Sequence, residues 1–273
     1  MNAPITQPAA STDGSMRWKV YLVLLAAALL GVVTIIPYSL ALQGLPPNLP
    51  MPLEVLLLVS VLQNMVLFAV AIALGLWLGG KVGLGAPMLR AWLAGDPQAP
   101  RAYRASLGLA VILGVASSLV ILVLDVVVFS PLMPAPRVTS TGTPQPAAWQ
   151  GLLASFYGGI NEELLLRLCL MSILVWMGCR LTRSTSPGVG VAWTANILAA
   201  LLFGLGHLPA TSALFPLTGS VIVRALVLNG LGGVVFGWLY WRRGLLLAMT
   251  AHFSADIVLH VLFPLLTTAL AVR

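Results

Sequence analysis

Seven apolar stretches, each about long enough to cross a lipid bilayer, constrain the fold of this 273-residue chain more than any other feature. A transmembrane helix needs about 20 consecutive apolar residues. Stretches of that kind lie at 20–42, 53–78, 106–129, 149–177, 189–207, 220–241 and 245–262. Charged residues make up only 8% of the chain, against about a quarter in a soluble domain. We therefore predict an all-α, polytopic transmembrane helical bundle of seven spans, or eight if the chain beyond Pro264 forms another.

The basic residues predict how the bundle is oriented. The gap after every second span is rich in arginine or lysine, whereas the opposite gaps hold one firm positive charge, Arg137. Basic loops mark the cytoplasmic side, so the pattern predicts a cytoplasmic N-terminus and an integral protein of a bacterial-type cell membrane. The net charge of +7 does not indicate a nucleic-acid partner, because these residues lie between apolar spans and not on one solvated face.

Composition also suggests four regions. Residues 1–16, rich in Ala, Pro, Ser and Thr, are expected to form a disordered cytoplasmic tail. Residues 17–130 form an N-terminal part of three helices, and the Pro-rich stretch 131–148 is an extracytoplasmic linker. Residues 149–273 form a helical core that contains the adjacent glutamates and every histidine.

Two adjacent glutamates, Glu162 and Glu163, interrupt the apolar stretch 152–177, although the chain has only seven carboxylates. An ionisable side chain inside a membrane is costly, and it normally faces the bundle interior and serves a function. Arg167 follows Glu163 by four residues, which places the two on one helical face. His207 and His252 also lie in apolar stretches. These residues predict an active site within the membrane.

Helical geometry suggests different roles for the two glutamates. Neighbouring residues of an α-helix are about 100° apart, so Glu162 and Glu163 are not expected to face the same partner. Glu163 faces Arg167, which leaves Glu162 to face a cavity as a general base that shares a water with His207. His252 and Asp256 are four residues apart, so this carboxylate can fix the tautomer and orientation of the imidazole.

Three motifs on successive apolar helices carry a family resemblance. They are EExxxR at 162–167, FxxxH at 203–207 and HxxxD at 252–256. In this order they resemble the CPBP family of intramembrane proteases, which includes the CAAX prenyl endopeptidases and bacterial relatives linked to bacteriocin immunity. The resemblance covers about 149–263.

The resemblance implies an intramembrane endopeptidase that acts on a peptide or a membrane protein within the bilayer. It assigns Glu162 and His207 to water activation, His252 and Asp256 to the developing oxyanion, and Glu163 with Arg167 to shaping the site. Many members carry Asn where this chain has Asp256. An ionised carboxylate repels an oxyanion, so Asp256 fits better as an orienter of His252, a protonated donor or a metal ligand.

The preferred interpretation needs no cofactor, but other interpretations stay open. Zinc held by Glu162, His207 and His252 is an alternative, because two histidines and a glutamate form a familiar catalytic zinc set. A non-catalytic scaffold or immunity protein of the same fold is another. A proton-coupled transporter is a third, although the histidines all lie in one half and no inverted repeat is visible.

Four further expectations concern position. If all spans were straight and of equal depth, Glu162 would lie near the middle of the membrane, His207 toward the outer end of its span and His252 in the inner half. The three residues converge only if the fifth span starts later, tilts strongly or continues as a partly buried turn through Pro209. His260 is expected to be an interfacial histidine. Asp125 and Arg224 lie at similar depths and are expected to form a structural ion pair. The small-xxx-small pairs of Gly75 with Gly79 and Gly233 with Gly237 predict close helix packing.

Overall fold

The computed structural model describes residues 14–44, 48–137 and 146–271. These residues are helical throughout except for short turns and loops. Seven helical segments are long and apolar enough to cross a membrane, which confirms the predicted polytopic all-α bundle and an integral membrane protein. The segments are Ser15–Leu42, Leu53–Lys81, Gln98–Leu132, Ala148–Leu181, Val189–Leu214, Gly219–Arg243 and Leu245–Leu270. The last one continues through Pro264 and forms no eighth span within the described residues.

Within these spans the α-helices are interrupted by π-helical turns. The α-helices are α1 (Gly14–Thr34), α2 (Ile36–Gln43), α3 (Leu53–Lys81), α4 (Pro87–Leu93), α5 (Gln98–Leu124), α6 (Ala148–Phe156), α7 (Ser172–Leu181), α8 (Val189–Gly206), α9 (Leu208–Leu214), α10 (Gly219–Arg243), α11 (Leu245–Asp256) and α12 (Phe263–Ala271). The π-helices are π1 (Asp125–Phe129), π2 (Tyr157–Glu162), π3 (Leu164–Met171) and π4 (Ile257–Leu262). A 3₁₀ turn, Ser130–Leu132, follows π1.

Two of the four predicted regions, the N-terminal tail and the linker, lie partly outside the described residues. Of the predicted tail, residues 1–13 lie outside them, and α1 begins at Gly14, two residues before the tail was expected to end. Of the predicted linker, 133–137 has no regular secondary structure and 138–145 lies outside the described residues. α6 then begins at Ala148.

The second half of the chain forms the centre of the bundle. In the fourth, fifth and seventh spans, 39%, 39% and 44% of the most apolar 18-residue stretch is buried inside the protein. In the second and third spans, the buried share is 17% each. The second and third spans therefore turn most of their surface outward. The span with both glutamates and the span with His252 are among the most enclosed.

Glycines let the N-terminal helices approach this centre closely. Gly75 of α3 lies against the backbone of Leu168, and Gly114 of α5 lies against the backbone of Ala251, so a Cβ at either position would collide. Leu168 follows Arg167 and Ala251 precedes His252. The N-terminal helices thus contact the central spans directly beside two predicted site residues.

A second type of contact pairs a buried asparagine with a glycine on the neighbouring helix. Asn161 donates from Nδ2 to the Ala28 carbonyl at 2.9 Å, and its Oδ1 lies against Gly31. Asn196 donates to the Val234 carbonyl at 2.9 Å, with its Oδ1 against Gly237. Gly75, Gly79, Gly233 and Gly237 all lie in close contacts, which confirms the predicted packing.

Candidate active site

π-helical turns bring both glutamates to one imidazole. Glu163 Oε1 lies 2.9 Å from Nδ1 of His252, and Glu162 Oε2 lies 3.5 Å from Nε2 of the same ring. The expectation that adjacent glutamates cannot face one partner is therefore wrong. Glu162 ends π2 and Glu163 stands between π2 and π3. In a π-helix the hydrogen bonds span five residues, so neighbouring residues are turned by less than in an α-helix, and the two nitrogens of one ring can receive both carboxylates.

The fifth span is interrupted at His207, the residue that reaches the site. α8 ends at Gly206, His207 caps it, and the chain continues as the short helix α9 with Pro209 in its first turn. Nδ1 of His207 lies 2.9 Å from the Phe203 carbonyl, which can only accept, so Nδ1 carries the proton. Nε2 then faces Oε1 of Glu162 at 3.9 Å. The turn through Pro209, one of the three conditions for convergence, is present.

The ring of His252 is held from several sides. Its Nδ1–H donates to Glu163, and its face stacks on Phe236 with centroids 4.5 Å apart. Phe203 contacts it edge-on at 5.8 Å and contacts His207 in the same way at 4.7 Å. Glu163, and not Asp256, therefore supplies the hydrogen bond that orients His252. Nε2 is left facing Glu162.

Asp256 lies beside His252 without a direct hydrogen bond to it. Its Oδ1 is 3.7 Å from Nε2 of His252, which is longer than a hydrogen bond. Its Oδ2 lies against Gly158 of π2, where a Cβ would collide with the carboxylate. Gly158 therefore makes room for Asp256 next to Glu162.

Arg167 is the most deeply enclosed charge of the site. Nε of Arg167 lies 3.4 Å from Oε2 of Glu163, and neither residue is exposed. Among the described residues, the three guanidinium nitrogens and Glu163 Oε2 have no hydrogen-bond partner. The guanidinium also lies 5.7 Å from the centre of the Phe203 ring. The predicted Glu163–Arg167 contact is present, but its hydrogen bonding is incomplete.

All six predicted site residues thus lie in one cluster, which has Glu162 at its centre. Within the described residues, no group of three His, Cys, Asp or Glu side chains has an arrangement that could hold a metal ion. The zinc alternative of Glu162, His207 and His252 gains no support from this geometry, and it stays a hypothesis for experiment.

Sequence reasoning missed two residues of this cluster. Phe236 stacks on His252, but a phenylalanine in an apolar span carries no signal of such a role. The expectation for His260 was an interfacial position without a role in the site, and its Nε2 lies 3.9 Å from Oδ1 of Asp256. The spacing of four residues from Asp256 was the available signal, because it places both on one helical face.

Two features lie outside the cluster. A cavity of about 300 Å³ lies between the first, second and fourth spans and is lined by Tyr157, Asn64 and Ser39. Tyr157 begins the π-helix that ends at Glu162. At a separate location, Arg224 donates to both oxygens of Asp125 at 2.6 and 2.7 Å, which confirms the predicted ion pair.

Comparison with known proteins bears on the same half of the chain. A family model described as Type II CAAX prenyl endopeptidase Rce1-like matches residues 144–258. No curated protein and no solved structure matches the chain. The matched segment contains EExxxR, FxxxH and HxxxD in full, so the comparison confirms the resemblance read from these motifs. Over residues 144–258 this protein is therefore similar to the type II CAAX prenyl endopeptidases, a family of proteases.

Proposed function

We propose that this protein is an intramembrane endopeptidase in which Glu162 activates a water for hydrolysis of a peptide bond. The position of Glu162 between two histidines carries the proposal. Its Oε1 faces Nε2 of His207 at 3.9 Å, and its Oε2 faces Nε2 of His252 at 3.5 Å. The family match over 144–258 supports the reaction class.

The distance between Glu162 and His207 fits a bridging water molecule. With its proton on Nδ1, a neutral His207 presents a lone pair at Nε2 to a carboxylate, which also accepts. Two acceptors 3.9 Å apart need a donor between them, and a water can donate one hydrogen to each. The oxygen lone pair of that water then points away from both, toward a scissile carbonyl carbon.

The reaction follows ordinary general acid–base steps. The water oxygen bonds to the carbonyl carbon while Glu162 takes a proton from the water. Glu162 then gives this proton to the amide nitrogen as the carbon–nitrogen bond breaks. His252, whose Nδ1–H is held by Glu163, presents Nε2 on the other side of Glu162, where a proton on that nitrogen can be donated to the oxyanion.

The environment of the cluster supports this division of roles. Glu163 and Arg167 are fully enclosed, so they can shape the site without contacting substrate, whereas about a fifth of the Glu162 side chain is exposed (22%). We propose CAAX-type peptides as the first substrates to test, because the matched family cleaves them by its description.

The test uses purified full-length protein in lipid nanodiscs. A farnesylated CAAX peptide, its unmodified twin and a peptide library are incubated with the wild type, Glu162→Gln and the matched control Glu54→Gln, and mass spectrometry detects new termini. Glu54 lies in the first turn of α3, away from the cluster. We expect cleavage by the wild type and by Glu54→Gln, and a loss of at least about 100-fold in Glu162→Gln. Absence of new termini with every peptide would contradict the protease proposal.

A further inference from the structure

A line of polar side chains continues from the active-site cluster beyond Asp256. Oδ1 of Asp256 faces two imidazoles on its own helical face, at 3.7 Å from Nε2 of His252 and at 3.9 Å from Nε2 of His260. On the other side of its ring, Nδ1 of His260 shares a hydrogen bond of 3.4 Å with the Tyr38 hydroxyl. The two rings meet edge to face, with centroids 5.5 Å apart.

The exposure of these side chains rises along the line. The Asp256 side chain is 10% exposed and the His260 side chain is 37% exposed. His260 lies fifteen residues beyond Leu245, the first residue of α11, which corresponds to about 23 Å along a helix. The hydrocarbon core is about 30 Å thick, so His260 lies near the membrane face opposite the N-terminus. Tyr38, in α2 at the far end of the first span, lies near the same face.

Packing fixes His260 in this place. Its backbone carbonyl lies against Gly151 of α6, where a Cβ would collide with it. Four helices pack on π4: α6 and α12 contain no ionisable side chain, α11 contains His252 and Asp256, and α5 has its ionisable residues, Arg101, Tyr103 and Arg104, in its first two turns. Among the described residues, Tyr38 and Asp256 contact the ring of His260. His260 and Tyr38 both lie outside the matched segment 144–258.

We propose that His260, together with Tyr38, is a proton relay between Asp256 and the water at the membrane face opposite the N-terminus. The inference rests on the proposed hydrolase function. Hydrolysis creates a carboxylic acid and an amine beside three carboxylates, and the acid becomes a carboxylate when its proton passes to the amine or to a protein group. The acid O–H bond breaks and Asp256 takes the proton, which passes to Nε2 of His260. The proton on Nδ1 then leaves through Tyr38 or water. The 3.9 Å step is short enough for one bridging water.

The test compares His260→Gln and Tyr38→Phe with the wild type, in full-length protein in nanodiscs. The probe is the farnesylated CAAX peptide. If the wild type does not cleave that peptide, the probe is a library peptide that it does cleave. Glutamine keeps the polarity of the histidine but cannot relay a proton. Tyr103→Phe is the matched control, because Tyr103 also bonds to the last span, through Thr250 at 2.9 Å, but far from His260.

We expect His260→Gln to lower kcat about tenfold, no more than Asp256→Asn does, with little change in KM. Added imidazole should restore part of kcat, whereas sodium chloride of the same ionic strength should not. Tyr38→Phe should lower kcat by a smaller factor, and the kcat of Tyr103→Phe should match that of the wild type.

An unchanged kcat in His260→Gln, or a loss of kcat that imidazole does not rescue, would overturn the relay. If His260→Gln does not fold, an unchanged kcat and pH profile in Tyr38→Phe would overturn it instead. If the wild type cuts no peptide, the hydrolase proposal and the relay fail together.

Discussion

The described residues include two membrane-level pairs of a carboxylate with an arginine, and the two pairs are built in opposite ways. Asp125 and Arg224 meet through two hydrogen bonds of 2.6 and 2.7 Å, with more than a quarter of each side chain exposed. Glu163 and Arg167 are fully buried, yet their contact is 3.4 Å, and within the described chain the guanidinium nitrogens have no hydrogen-bond partner. The pair in the matched segment is thus the less complete of the two.

The difference indicates what each pair is for. A bidentate carboxylate–guanidinium contact joins the third and sixth spans and satisfies both partners. In the buried pair, one oxygen of Glu163 is used by His252, so the carboxylate is divided between a guanidinium and an imidazole. Buried charges with incomplete partners are costly, and proteins retain such arrangements at functional sites.

The largest effects are expected at the histidines. His207→Ala and His252→Ala should each lower turnover at least about 100-fold, because each removes the imidazole that faces one oxygen of Glu162. On the metal-free account, wild-type activity survives exhaustive chelation, and purified protein contains well under one equivalent of zinc. Metal analysis and activity are measured on the same samples. Stoichiometric zinc that is lost together with activity in both variants would establish the zinc mechanism instead.

The two arginines provide the direct comparison of stability. Arg167→Gln should lower the free energy of unfolding by about 3 kcal/mol or more, because it leaves Glu163 buried without its cation. Arg224→Gln should cost only about 1 kcal/mol, because water can reach the remaining Asp125. Reversible unfolding in mixed detergent micelles measures both. Equal losses for the two variants would contradict the assigned difference between the pairs.

A smaller effect is expected at Asp256. Its carboxylate makes no direct hydrogen bond to His252, and Asn is common at this position in the family that the chain resembles. Asp256→Asn should therefore keep turnover within about tenfold of the wild type, with the His252 ring still held by Glu163. The assay is turnover of the wild-type substrate. A complete loss of turnover, together with loss of bound metal, would instead identify Asp256 as a metal ligand or its supporting group.

The smallest effect on the protein is expected from single cysteine substitutions, which test the membrane face toward which the Asp125–Arg224 pair lies. A single cysteine placed at Ser140 or Ala94, in a chain whose Cys169 and Cys179 are replaced, should leave activity unchanged. An impermeant thiol reagent outside the cell should label the first and miss the second, because the basic gaps predict a cytoplasmic N-terminus. This would place the Asp125–Arg224 pair toward the outer face, because Asp125 shortly precedes the 131–148 linker. The reverse labelling would contradict the orientation.

Much of the fold follows from local sequence properties. Span length and apolar content predict all seven membrane-crossing segments, and positions such as Gly75 predict where helices approach closely. The six site residues could be selected because ionisable groups in apolar spans are rare and costly. The Asp125–Arg224 pair follows from two opposite charges at matching depth.

The contacts within the site depend on features that a sequence does not display. The expectation for Glu162 and Glu163 assumed an α-helical step of about 100°, but π-helical turns on both sides let them share His252. His207 converges with them because α8 ends there, which a prediction based on straight spans does not provide. Phe236 contributes only the face of an aromatic ring, and many apolar residues could have done so.

The central claim is that adjacent glutamates have separate roles, with Glu162 as base and Glu163 as support. The most direct measurement compares turnover and unfolding of Glu162→Gln and Glu163→Gln in the same nanodisc preparation. We predict that Glu162→Gln abolishes turnover and leaves the unfolding transition close to that of the wild type. Glu163→Gln should lower turnover and, in addition, lower the free energy of unfolding by about 3 kcal/mol. It removes the carboxylate charge that Arg167 faces and the carboxylate to which His252 donates. Retention of most activity by a folded Glu162→Gln protein would contradict the account.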